Sequence, residues 1–231
     1  MGLPGERVVI RRYRHAQLLI MLVGSLILNP FIEGTLLFTV VDLTLALTLI
    51  SAVLACSMNR VRMMVGLGFS LVVVGLSWYR NHSGVEAVSI VYSSLALAFF
   101  VYVTAIVLIN VFRESTGVSA DTICGALAGY LLIGVVWAFA YALLDVLLPG
   151  SIAGLREQSS PNGYQQYLGY SFVTLTTLGY GNVLPANAKA ESLAAAEAIV
   201  GQVYLTVLVA RLVALNLTSS RRAVGHDGED E

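Results

Sequence analysis

The sequence predicts an all-α membrane protein: six transmembrane helices, with a short re-entrant helix and an irregular loop between the fifth and the sixth. Three observations carry that prediction. The 231 residues are 57% apolar and only 12% charged, with a mean hydropathy of +0.80, well above the range of soluble domains. Apolar stretches near the roughly 20 residues that cross ~30 Å of hydrocarbon recur along the chain, with polar punctuation between them. Between the last two, "SFVTLTTLGYGNVLPAN" (171–187) breaks the pattern with hydroxyls and glycines that suit neither a helix interior nor a core.

The first span is expected over 15–31, behind a basic amino-terminal segment, 1–14, that carries Arg7, Arg11, Arg12 and Arg14. Such a flank also precedes secretory signals, but this apolar run ends in "NPFIEG" rather than in a small-residue cleavage site, so it reads as a retained helix. Further spans are expected over 36–57, 61–79, 87–112 and 122–148, with 113–121 as a linker and a last helix over 189–217. Segment 149–188 differs. A Gly-, Ser- and Pro-rich loop leads to "YQQYLGYSFVTLT", too short to span, which predicts a re-entrant helix over 164–176. With six spans, Arg60, Arg62, Arg113, Arg211, Arg221 and Arg222 join the amino-terminal arginines on one side, leaving Arg80, Arg156 and Lys189 on the other. Both termini are therefore expected in the cytoplasm and the protein in the plasma membrane. The amino-terminal segment fits anionic headgroups as well as a plain positive flank, and the polar tail 219–231 is expected to be disordered.

A net charge of −1 offers no basic field for nucleic acid. Cys56 and Cys124 have neither metal-ligand spacing nor a CxxC pair and read as small buried hydrophobes. No internal repeat suggests an inverted-repeat transporter.

The glycine run is where chemistry concentrates. Irregular backbone cannot face lipid, because each unsatisfied N–H or C=O there costs several kcal/mol, so Thr177–Gly181 must be enclosed by protein or by a water-filled path. Glycines on either side of Tyr180 permit conformations in which successive carbonyls point the same way. A chain with one such loop must gather several copies around an axis to enclose it. Four copies would present stacked rings of oxygen to a dehydrated cation.

"TTLGYG" (176–181) resembles the signature sequence of the potassium-channel family, in its bacterial six-transmembrane, tetrameric form, and the resemblance covers the pore unit from about 122 to about 217. It implies that the carbonyls of Thr177, Leu178, Gly179 and Tyr180, with the Thr177 hydroxyl, coordinate K+ and that Gly181 closes the outer end of this selectivity filter. It also implies supporting roles for Thr176, Asn182 and Tyr170, and a gating hinge at Gly201. Leu178 stands where many members have Val. Asn182 stands where many have Asp, which removes a negative charge at the outer mouth. Tyr167, Tyr170 and Phe172 read either as an aromatic cuff around the filter or as interfacial aromatics. The first four spans, 15–112, resemble a voltage-sensor domain in count only, since no Arg or Lys lies between Arg80 and Arg113.

Isolated charges within the spans mark further candidates. Asp42 reads either as a proton sensor or polar partner within the four-helix unit, or as a group hydrated near the outer interface. Glu197, one helical turn before Gly201, is expected to hydrogen-bond a re-entrant-helix hydroxyl such as Ser171 or Thr174 and so to buttress the filter. Arg211 either snorkels to the inner interface or lines the inner mouth, and Asp145 is expected to be solvated. The expectation as a whole is a homotetrameric, potassium-selective channel, passive, with little intrinsic voltage dependence, no covalent chemistry and no cofactor beyond K+ as permeant ion. Its partners are K+ and membrane lipids. A weakly selective cation channel and a non-conducting scaffold or receptor-like subunit are the alternatives.

Overall fold

A computed structural model describes residues 14–28, 60–83, 86–113, 119–155 and 163–226. The expected span 36–57, with Asp42 and Cys56, lies outside them. Among the described residues the helices are α1 (Arg14–Leu28), α2 (Arg60–Ser83), α3 (Glu86–Arg113), α4 (Ala120–Leu147), α5 (Gly163–Leu175) and α6 (Ala188–His226); two short strands, β1 (Ile152–Ala153) and β2 (Leu184–Pro185), pair antiparallel.

Three of these helices have apolar stretches long enough to cross a membrane: Ala87–Arg113, Ala120–Leu147 and Ala188–Ala214. Helix α1, with 15 residues, reaches ~22 Å at 1.5 Å per residue, short of a bilayer core. In α2 the apolar stretch among the described residues is Gly66–Tyr79. Six spans are therefore not reached among the described residues. Helix α6 also differs from expectation, continuing to His226 through residues expected to be a disordered tail. No Gly or Pro stands between Gly201 and Gly225 to stop it.

Helix α4 is the centre of the packing, contacted by α1, α3, α5 and α6, while α2 packs on α3. Its start is fixed twice over. Ser119 is the N-cap, its Oγ accepting from the Thr122 N–H at 3.1 Å. Asp121, in the first turn, accepts from the backbone N–H of His15 at 3.1 Å and of Ala16 at 3.3 Å and pairs with His15 Nδ1 at 2.8 Å, so one carboxylate ties the start of α1 to the start of α4. Along α3, Tyr92, Ala96, Phe99, Val103, Val107 and Val111 form a buried stripe at helical spacing. Phe100 of α3 stacks on Phe139 of α4 at 5.2 Å, and Phe139 meets Tyr164 of α5 at 4.4 Å. This aromatic column joins the peripheral helices to the short helix that precedes the glycine run.

Candidate functional site

Helix α5 is held against α4 and α6 at three heights, on a face repeating every fourth residue: Tyr167, Ser171 and Leu175. At the height nearest the start of α5 the Tyr167 hydroxyl donates to Asp145 Oδ2 at 2.6 Å. The other carboxylate oxygen of Asp145 accepts from the N–H groups of Ser151 at 2.9 Å and Ile152 at 3.4 Å, which fixes the loop leaving α4. Asp145 is therefore not solvated, as its place at a helix end suggested, but 3% exposed with donors on both oxygens.

At the middle height Glu197 of α6 is 0% exposed. Tyr141 donates to its Oε2 at 2.6 Å, and Ser171 Oγ lies 2.5 Å from its Oε1 and 2.7 Å from the Gly134 carbonyl. Tyr141 and Asp145 stand four apart on α4, as Ser171 and Tyr167 do on α5, so two antiparallel helices present matching pairs. Phe172 fills the space over Gly134, where a Cβ would come 2.7 Å from its ring. Tyr170 is buried against Tyr141, ring centroids 4.8 Å apart, and so packs on α4.

The innermost height is the last residue of α5. The Tyr130 hydroxyl donates to the Leu175 carbonyl at 3.2 Å. Gly201 comes so close that a Cβ there would lie 2.3 Å from the same oxygen, which makes its lack of a side chain a packing requirement. One turn on, the Tyr204 hydroxyl donates to the Ala126 carbonyl at 2.6 Å. Further inward, Arg211 neither reaches for water alone nor simply lines a mouth: its Nη1 donates to the Val111 carbonyl, in the last turn of α3, at 2.6 Å, and its guanidinium sits 4.9 Å from the Phe112 ring.

The glycine run leaves α5 through a terminal hydrogen-bond pattern. Leu178 N–H donates to the Val173 carbonyl and Thr177 N–H to that of Thr174, each at 2.9 Å, the paired 6→1 and 5→2 bonds of a Schellman ending. The residue this ending places in the left-handed region is usually Gly; here it is Thr177, at φ +57°, a strained conformation for a β-branched residue. Gly179 and Gly181 follow at φ +62° and +77°, so the left-handed conformation recurs at every second residue. Thr176 turns its hydroxyl back to the Phe172 carbonyl at 2.6 Å. Thr176 through Asn182 are all exposed in the single chain, Leu178 at 56% and Tyr180 at 72%.

The chain returns along a fixed path. The Asn182 carbonyl lies where a Cβ on Gly154 (φ +84°) would be 2.2 Å away, and β2 pairs with β1 directly beyond it. Asn187 then starts α6, its Oδ1 accepting from the Ala190 N–H at 3.0 Å while its Nδ2 donates to Ser151 Oγ at 2.8 Å. Asp145, the Ser151 turn and the start of α6 thus form one connected rim where α4 ends and α6 begins.

Residues 127–217 match a family model described as "Ion channel". The match spans most of α4, all of α5, the glycine run and α6 as far as 217, and with the long apolar helices it supports an ion channel in a membrane. Comparisons with characterised proteins and with solved structures gave no match. Thr177, Leu178, Gly179, Tyr180 and Gly181 lie together on the exposed loop, with Thr176 and Asn182 at its two ends. Tyr170, Glu197 and Gly201 lie behind it, on the α5–α6 side. Sequence reasoning missed Tyr130, Tyr141 and Gly154. The signal for the second was present, because Tyr141 and Asp145 are a polar pair four residues apart in an otherwise apolar helix.

Proposed function

We propose that this protein is a potassium-selective channel of the plasma membrane, a homotetramer in which four copies of Thr177–Gly181 surround the conduction path. The observation that carries the reading is the alternation of backbone hand, positive φ at 177, 179 and 181 and not at 178 or 180. Alternating hand turns successive peptide planes so that carbonyls gather on one side of the strand and N–H groups on the other. Four such strands would replace the hydration shell of K+ with oxygen from Thr177, Leu178, Gly179 and Tyr180.

Exposure supports the tetramer. A loop whose backbone N–H and C=O groups are unpaired cannot face lipid at membrane depth, and Thr176 through Asn182 are exposed in the single chain. Neighbouring copies would cover part of that surface and the pore would take the rest. The described peripheral helices supply no run of arginines: α3 carries only Arg113, at its end. Conduction would therefore depend little on voltage, with six spans per chain and both termini cytoplasmic by the distribution of basic residues.

The test is flux. Full-length protein in liposomes should take up K+ down its gradient, Gly179→Asp should abolish uptake, and reversal potentials with Na+ opposite K+ should favour K+. Equal permeability would leave a weakly selective cation pore, and no flux from a folded oligomer would leave a scaffold.

A further inference from the structure

The two buried carboxylates that hold α5 have opposite hydrogen-bond demands. Asp145 meets only donors, two backbone N–H groups and the Tyr167 hydroxyl, an arrangement that a carboxylate fills without a proton. Glu197 does not. The contacts around it are Tyr141 to Oε2, Ser171 to Oε1, and Ser171 to the Gly134 carbonyl. Tyr141 and Ser171 each own one hydroxyl proton, and a carbonyl can only accept. Two protons cannot fill three contacts. If Ser171 donates to Gly134, then the short Ser171–Glu197 contact needs a proton from the carboxyl. If Ser171 instead donates to Glu197, its lone pairs face the Gly134 carbonyl at 2.7 Å, two acceptors held together in a buried place.

We infer that Glu197 is a neutral carboxylic acid in the folded protein, donating to Ser171, and that this proton completes the seat of α5 beneath the glycine run. Among the described residues the titratable groups that face it are Tyr130 and Tyr141 from α4 and Tyr170 from α5. Glu197 is thus a positioning residue. Its proton holds Ser171, and Ser171 fixes the height of the helix that ends in Thr177. Loss of the proton forces Ser171 to abandon Gly134, loosening α4 from α5.

Glu197→Gln supplies a permanent donor and acceptor in the same shape and should rescue the stability that Glu197→Ala loses.

The direct test is infrared spectroscopy of the full chain in lipid, with isotope-labelled glutamate. At neutral pH the wild type should show a protonated-carboxyl C=O stretch that shifts with the label, and Glu197→Gln should lack it. Absence of that stretch in the wild type, or its persistence in Glu197→Gln, overturns the inference. An equal fall of the thermal midpoint in Glu197→Gln and Glu197→Ala overturns it as well. The role given to the seat rests on the reading of Thr177–Gly181 as a filter, but the infrared result does not. Failure of K+ flux with the acid stretch present would refute the channel reading and leave the proton in place.

Discussion

Replacing Gly201 with Ala tests whether the close approach of α6 to the end of α5 shapes the glycine run. The added Cβ would lie 2.3 Å from the Leu175 carbonyl oxygen and 3.0 Å from Leu175 Cδ1. Ordinary contact begins near 3.5 Å, so the helices must part by roughly 1 Å at this height. The obstacle is a backbone oxygen, already tied to Tyr130, which cannot turn away as a side-chain tip would. Overpacking of this kind costs up to ~3 kcal/mol, and the better helix propensity of Ala returns ~1 kcal/mol. The net loss is ~2 kcal/mol, which for a chain of this size lowers the thermal midpoint by ~4–8 °C. Differential scanning fluorimetry of the purified protein reads that shift, with Gly24→Ala as control, since no described atom lies within 4 Å of a Cβ there. Because Leu175 precedes Thr177 by two residues, K+ flux should fall with the midpoint. A midpoint at or above wild type would refute the argument and favour a purely flexible role for this glycine.

Thr177→Gly should stabilise the loop by ~1 kcal/mol by releasing the left-handed strain at φ +57°, yet lower K+ flux by removing a hydroxyl from the ion path; equal gain in both would argue against Thr177 as a ligand. Asp145→Ala strands the Ile152 N–H and the Tyr167 hydroxyl, each costing ~1–3 kcal/mol, and leaves the Ser151 N–H its 3.2 Å bond to the Leu148 carbonyl, so hydrogen exchange should speed sharply at Ile152 and less at Ser151. Arg211→Leu removes a charged bond to the end of α3 worth ~1.5–3 kcal/mol, and proximity labelling between Phe112 and α6 should weaken.

What the sequence made legible divides along a physical line. The helices over 87–112, 122–148 and 164–176 follow from length, apolarity and the glycine break, and they recur within two residues as α3, α4 and α5. The glycine run could be read because local backbone demands, paired glycines and hydroxyls, are written into adjacent residues. The burial of Asp145 could not, because its partners are on the next loop and on α5, brought together only when α4 and α5 pack antiparallel. Likewise Gly201 offered a sequence reader only flexibility, and its contact with Leu175 exists only in three dimensions. Arg211 is a third case: a long cationic side chain near a helix end can reach water, a pore or another helix, and which of these it meets is decided by where α3 stops.

The arrangement behind the loop explains how a strained backbone can persist. Past the two bonds to Val173, from Leu178 and Gly179, the run makes no backbone hydrogen bond among the described residues until β2. Its conformation must therefore be imposed from its ends and from whatever surrounds it. At one end α5 is fixed at three heights, by Asp145, by Glu197 and by the Tyr130–Leu175–Gly201 contact; at the other, Asn182 is pressed on Gly154 beside the β1–β2 pair. Left-handed Thr177 costs of order 1–3 kcal/mol, comparable to one well-made buried hydrogen bond, so the removal of a single anchor is enough to let it relax. A loop in that balance responds to small changes behind it, and the anchor whose strength depends on a proton, Glu197, is the one through which such a change can arrive without a mutation.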